Sequence, residues 1–286
     1  MSAFAQGETK KDIVPLMSDC SIQNQSKQDF VTSGRTDQFD FLIVADSHGR
    51  GINKFYFTKL FSNINWGVFI DNDNWQEELM RLCNSEKTKG IGSTFTCVKM
   101  FPDRFEVYWI GDSECRIYGV NQPTEKEPSP EVQVVKFSQH DYNNEEDIKR
   151  FKFRYVRQRD IKAVSSSCLK QVEAKMFQVK NEACNMTRTL GHAGCFCATE
   201  GYQIENKTIY KRDFKCDYYK IVVASDGFWQ VMSEEKEDTR TIMDTRLNAR
   251  LLAQMARNRW EQPWTQVIRF TKTKKRSTYH IGVGMM

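Results

Sequence analysis

Ile221-Val222-Val223-Ala224-Ser225-Asp226-Gly227-Phe228-Trp229-Gln230-Val231-Met232-Ser233 is the stretch on which the fold turns. Its opening apolar run is of the kind a strand shows when both of its faces are covered, and it stops abruptly at a small residue, an acid and a glycine. A second stretch is built the same way: Phe41-Leu42-Ile43-Val44-Ala45 runs into Asp46-Ser47-His48-Gly49-Arg50-Gly51. Taken singly, an Asp followed by Ser or Gly after a strand is more often a turn than a ligand. Taken together, two central strands that each end in a carboxylate can bring those carboxylates to one edge of the sheets. There they repel and raise each other's pKa unless a divalent cation neutralises them, and hard cations with oxygen ligands, Mg2+ or Mn2+, suit such a site.

Outward from these strands the pattern is mixed. Asp29-Phe30-Val31-Thr32-Ser33 reads as a short strand leading into Gly34-Arg35. Asp73 and Asn74, good N-cap types, precede Trp75, Leu79, Leu82 and Cys83 at helical spacing, which predicts a helix up to about Lys87. Ser93 to Met100 and Arg104 to Ile110, joined by Phe101-Pro102-Asp103, form a hairpin signal. A second hairpin is expected from Cys115 to Val120 and Val132 to Phe137 around a loop from Gln122 to Glu131. Glu145 to Val179 reads as helical, with interruptions such as Ser165-Ser166-Ser167. Arg246 to Asn258 is a helix with Leu247, Leu251, Leu252 and Met255 on one face, and Tyr279 to Val283 is a closing strand. Clustered strands with hairpins, and no regular strand-helix alternation, make the class α+β with antiparallel pairing.

The 286 residues, 40% hydrophobic and 28% charged, have ordinary globular composition. The start, Met1 to Lys11, is polar, and no apolar run approaches the roughly 18 to 20 residues of a membrane span. No membrane association is therefore expected, and the expected location is intracellular, in the cytoplasm. Nine cysteines, an odd number, fit free thiols in a reducing compartment better than a disulfide framework. A net charge of +5 is modest and does not by itself call for nucleic acid. The densest basic cluster, Lys149 to Lys162, interleaves with Phe151, Phe153 and Tyr155; it reads first as a solvated face and second as a dock for an acidic partner or RNA.

The ordered motifs resemble those of the metal-dependent serine/threonine protein phosphatases of type 2C. That family has Asp-Gly-His-Gly-Gly after its first core strands, where this chain has Asp46-Ser47-His48-Gly49-Arg50. Its Gly-Ser-Thr and Gly-Asp-Ser are matched by Gly92-Ser93-Thr94 and Gly111-Asp112-Ser113, and its Ser/Thr-Arg-x-x-Gly-Asp by Thr187 to His192. Its Ala-Ser-Asp-Gly-Leu-Trp-Asp-Val-Leu-Ser is similar to Ala224 to Ser233. The order holds from Arg35 to the C-terminus.

The resemblance implies two antiparallel sheets packed as a sandwich and flanked by helices, with residues 29–286 as the domain and 1–28 as a tail or leader. It implies hydrolysis of phosphoserine and phosphothreonine in phosphorylated protein substrates, with two Mg2+ or Mn2+ ions. Asp46 would bridge both metals, the Ser47 carbonyl would face the first, and Asp226 would bind the second. Arg35, in the family's Gly-x-Arg pattern, would hold the substrate phosphate through its planar fork. His48 would protonate the leaving oxygen. Asp37 or Asp40 stands for the family's outer-shell carboxylate, and Asp141, in Ser138-Gln139-His140-Asp141, is a candidate third-metal ligand.

The chain departs from the family in places that bear on activity. Ser47 stands where the family has Gly, His192 where it has Asp, and Lys274-Lys275-Arg276-Ser277-Thr278 where it presents its last carboxylate. A weakened second metal site, and with it an inactive relative that binds phosphorylated proteins, is the alternative to an active enzyme. A basic nucleic-acid-binding module ranks lower. Cys184, His192, Cys195 and Cys197 offer a zinc-type ligand set, but their spacing fits no common zinc module.

Overall fold

A computed structural model describes residues 16–22, 28–49, 53–121, 132–137, 139–141, 144–152, 157–164, 171–179, 182–184, 186–193, 203–214, 216–232, 236–244, 246–261 and 279–285. With strands numbered along the chain, one five-stranded antiparallel sheet has the order β14-β7-β6-β3-β2. Its strands are β2 (Phe30–Arg35), β3 (Asp40–Ala45), β6 (Phe95–Met100), β7 (Arg104–Ile110) and β14 (Glu205–Tyr210). A second has the order β1-β16-β15-β8-β9, built from β1 (Leu16–Ile22), β8 (Glu114–Val120), β9 (Val132–Lys136), β15 (Tyr218–Ala224) and β16 (Tyr279–Met285).

Alternation along the central strands explains how the sheets stack. On β3, Leu42 and Val44 point into a layer shared with Val98, Val107, Cys115, Ile117, Ile221 and Val223 from both sheets. Phe41, Ile43 and Ala45, one step out of phase, face helices α1 (Tyr56–Ser62), α2 (Trp66–Asp71) and α3 (Trp75–Cys83). On β15 the same period sends Val222 and Ala224 toward α5 (Asp226–Trp229), α6 (Lys236–Met243) and α7 (Ala249–Glu261). Because a strand turns successive side chains to opposite faces, a strand covered on both must be apolar throughout. The result is a sandwich of two sheets with helices outside, in the α+β class expected from the sequence. Among the described residues, no helix is long and apolar enough to cross a membrane.

Two small sheets complete the fold. β4 (Ser47–Gly49), β5 (Ile91–Ser93) and β13 (Leu190–Gly191) form one, with β5 central, and β10 (Arg157–Val164), β11 (Gln171–Val179) and β12 (Glu182–Cys184) form the other. The latter corrects the helical expectation for Glu145 to Val179. Among the described residues there, α4 (Glu145–Lys152) alone is helical, and β10 and β11 pair antiparallel after it. The strand period is visible in Val172, Ala174 and Met176 alternating with Glu173 and Lys175. The described residues of the basic cluster are thereby divided between α4 and β10. The expectation of a leader over residues 1–28 also needs correction, since Leu16–Ile22 add to the sheet beside β16. An outer strand with Ser18, Asp19 and Ser21 lacks the continuous apolar signature of the central ones.

Both hairpins form as expected, β6 with β7 and β8 with β9. Lys220 is an exception to the apolar rule on β15. It is fully buried, and its Nζ donates to the carbonyls of Asp244 (2.7 Å) and Leu247 (3.0 Å), pinning the α6–α7 connection to the sheet. Burial lowers its pKa to about 8, against an opposing pull from Asp244. A base whose folded pKa is depressed destabilises the fold while it is protonated, so this penalty is full below the folded pKa and disappears as pH rises toward the unfolded value. The free-energy difference between wild type and Lys220→Met should therefore move in favour of wild type by on the order of 2 kcal/mol between about pH 7.5 and 10. Urea unfolding of both proteins at each pH measures it.

Candidate metal centre

Four aspartates meet at one end of the sandwich because of how their strands end. Asp46 follows β3 and Asp226 follows β15, both partly exposed. Asp29, which is buried, precedes β2, and the β2–β3 register pairs Phe30 with Ala45, so Asp29 comes opposite Asp46. Asp112, also buried, lies in the turn between β7 and β8. Burial pushes the Asp46 carboxyl well above its usual range, reinforced by the charge of Asp29, a hydrogen bond with the Asp29 carboxyl, and the charges of Asp226 and Asp112. Asp226 is raised as well, chiefly by burial and next by Asp29. It is partly relieved by the Gly227 N–H, by Gln230 Nε2 at 2.7 Å and by His48.

Two carboxyl groups hydrogen-bonded to each other must share a proton, and such a pair gives it up readily to a cation of higher charge. The donor set is hard oxygen throughout, which fits Mg2+ or Mn2+. Among the described residues, no group of three or more His, Cys, Asp or Glu side chains is arranged to hold a metal ion by itself. A cation here would need backbone carbonyl or water oxygens beside the carboxylates.

Hydrogen bonds and polar contacts among the motif residues hold Asp46 and its surroundings in place. The Asp46 N–H donates to Thr94 Oγ1 (2.8 Å), and the Thr94 N–H returns a bond to the Asp46 carbonyl (2.9 Å). Thr94 Oγ1 is in turn bonded to Ser113 Oγ at 2.6 Å. Gly111 adopts φ 100°, and a Cβ there would lie 2.7 Å from Thr94 Cγ2, so only glycine fits. The Gly111 N–H donates to His140 Nδ1 (3.1 Å), and His140 Nε2 lies 3.2 Å from Glu205 Oε1. Glu205 accepts from Arg188 Nη1 (2.6 Å). Arg188 is clamped on the buried Asp147 by Nη2 (2.6 Å) and Nε (3.0 Å), and Thr187 Oγ1 donates to the same carboxylate at 2.6 Å.

Ser47 is accommodated without a glycine's freedom. The described non-glycine residue with positive φ is His192, and Ser47 instead donates from its buried Oγ to Ser93 Oγ (3.1 Å), which passes a bond to the Thr94 carbonyl (2.8 Å).

The structure thus brings together Asp46, Ser47, His48 and Asp226 of the residues named from the sequence. Arg35 is elsewhere. The β2–β3 register pairs it with Asp40 at the far end of the hairpin, roughly 20 Å of strand from Asp46. There it binds Asp40 through Nε (2.6 Å) and Nη2 (3.3 Å). Asp40, a candidate outer-shell carboxylate, is thus committed to Arg35, Asp37, the other candidate, is exposed in the turn, and the carboxylate opposite Asp46 is Asp29. Pairing the two strands in sequence across the Thr36–Phe39 turn would have found Asp29. Asp141 is partly exposed in the loop after His140, where its carbonyl accepts from the Asn144 N–H. The 274–278 segment, Cys195 and Cys197 lie outside the described residues.

No protein-family model matches the chain, and no curated protein matches its sequence. Solved structures do match in fold. A serine-threonine phosphatase 2C from Toxoplasma gondii aligns with a TM-score of 0.56 at 12% identity, over 95% of this chain and 93% of that one. A serine/threonine phosphatase from S. agalactiae aligns at 0.52 and 15% identity, over 95% and 99%. A C. elegans sex determining protein aligns at 0.54 and 14% identity, over 97% of this chain and 66% of that one. The chain has the fold of the type 2C serine/threonine phosphatases.

Removing a carboxylate from an uncompensated cluster relieves repulsion while weakening a cation site. Metal-free Asp29→Asn should therefore melt about 2–4 °C above wild type, the shift that roughly 1 kcal/mol gives in a domain of this size, while its melting point should respond less to added Mn2+. Differential scanning calorimetry with and without Mn2+ reads both effects.

Proposed function

We propose that this chain is a metal-dependent phosphatase acting on phosphoserine and phosphothreonine in proteins. The observation that carries the reading is the meeting of Asp29, Asp46, Asp112 and Asp226 at one end of a type 2C phosphatase fold, the other three each raising the pKa of Asp46, with His48 close enough to bear on Asp226. Asp29, Asp46 and Asp226 would hold the ions, with the Ser47 carbonyl facing the first. When bound, Mg2+ or Mn2+ would offset charge on the phosphoryl group and acidify the attacking water.

The chain's own residues do the rest. His48 lies on β4 opposite Gly92 with its Nε2 buried against that glycine, so a substrate oxygen would be met by the other ring nitrogen, Nδ1, of this partly exposed residue. From there it donates a proton to the departing serine or threonine oxygen, the step that poor leaving groups require. The Thr94–Ser113 pair and the Arg188–Asp147 clamp keep the Asp46 backbone fixed while charge shifts in front of it.

A second reading, an inactive phosphatase-like protein that binds phosphorylated partners, draws on Lys274-Lys275-Arg276-Ser277-Thr278, which carries cations and hydroxyls where the resembling family presents a carboxylate. The two readings part in one experiment. In the first, the wild type releases phosphate from a phosphoserine peptide only with Mn2+ or Mg2+. Asp46→Ala and Asp226→Ala should lower that rate by more than about a hundredfold while keeping the wild-type circular dichroism. In the second, the wild type releases none and binds the phosphopeptide. Activity that survives in either Asp variant would remove these residues from the site.

A further inference from the structure

The resembling motif has an Asp where this chain has His192, and the structure gives that exchange a use. β5 lies between β4 and β13, so Gly92 is flanked by His48 on one side and Gly191 on the other. Just past β13, His192 takes a left-handed conformation (φ 51°), and its N–H donates to the Ile91 carbonyl at 2.7 Å. That conformation, tolerated by His better than by most side chains, turns the ring back across Gly92. It stacks on the His48 ring with centroids 4.8 Å apart and planes 23° from parallel.

Gly92 leaves the room for both rings. A Cβ at position 92 would lie 2.4 Å from His192 Cδ2 and 2.7 Å from His48 Nε2. The His48 nitrogen is thus seated against the Gly92 backbone, and rotation of its ring away from that seat runs into the buried His192. An aspartate at 192 has no ring with which to do this.

We propose that His192 is a positioning residue whose stacked ring fixes the orientation of the His48 imidazole for transfer to the leaving oxygen. The proposal rests on the phosphatase reading with His48 as proton donor. In that reaction water oxygen bonds to phosphorus and releases a proton to solvent, the phosphorus–oxygen bond to the serine or threonine breaks, and the departing oxygen takes the proton from His48, which solvent then restores. The donor must point along the breaking bond, and a small misplacement is expensive in rate. His192 contributes no proton and touches no substrate; it sets where His48 points.

His192→Asn keeps a residue at ease with positive φ and removes the ring, whereas His192→Phe keeps a ring and removes its nitrogens. With Mn2+ present, His192→Asn should lower kcat about tenfold on a phosphoserine peptide but by less than about twofold on p-nitrophenyl phosphate, whose leaving group departs without a proton. His192→Phe should restore most of the peptide rate. In 1H–13C spectra of the metal-free proteins, the His48 ring signals, assigned by their loss in His48→Asn, should shift in His192→Asn as the ring current disappears.

Equal losses on both esters, or a His192→Phe variant as impaired as His192→Asn, would overturn the positioning role. So would His48 signals that stay where they are in His192→Asn. If the wild type hydrolyses neither ester, the phosphatase reading fails on its own, and the spectra decide whether His192 holds His48.

Discussion

Repulsion among Asp29, Asp46, Asp112 and Asp226 is the constraint around which the rest of this protein is arranged. Each carboxylate is delivered by the end of a strand, and burial together with its neighbours drives the Asp46 pKa well upward. A chain that folds this way holds a local electrostatic penalty at one end of an otherwise apolar sandwich. A shared proton relieves it in part, and a divalent cation would relieve it more completely. The penalty sits where strands from both five-stranded sheets end, so the sheets must be held in register for the four groups to meet at all.

That register is secured by polar contacts that would look extravagant in a purely structural setting. The chain of bonds from Asp46 through Thr94, and the polar contacts from Gly111 through His140 and Glu205 to Arg188 and Asp147, are largely buried and joined at the Gly111–Ser113 turn. Buried polar groups of this kind are costly unless every member finds a partner, and once satisfied they hold one geometry. Thr94, Gly111, Ser113, Thr187 and Arg188 belong to the motifs by which the sequence resembles the type 2C phosphatases, and here they act on the backbone of Asp46 and its surroundings. The network is the physical content of the Gly-Ser-Thr, Gly-Asp-Ser and Thr-Arg patterns.

Most of the scaffold was legible in the sequence, because β3 and β15 are buried on both faces and so carry unbroken apolar runs. Asp46 and Asp226 were found because they end those runs. Asp29 was missed since β2 is only half-buried, and its importance shows only through pairing with β3. Arg35 misled for a local reason: the Gly-Arg pair matched a family pattern, while the hairpin register carries it to the opposite end, where Asp40 neutralises it. The β10–β11 pair is hard to read because charged residues interrupt its alternation, which then resembles a broken helix. His192 looked like the loss of an acid; that it reaches His48 depends on a backbone turn and a bare Gly92, neither visible in sequence.

The likeness to solved phosphatases rests on fold at 12% and 15% identity. The functional claim therefore stands on the carboxylates themselves. Diffraction from crystals grown with Mn2+, recorded where manganese scatters anomalously, tests it most directly. The account predicts an anomalous peak within coordination distance of Asp46, shared with Asp29 or Asp226. Strong manganese peaks elsewhere on the molecule and none at this cluster would contradict it.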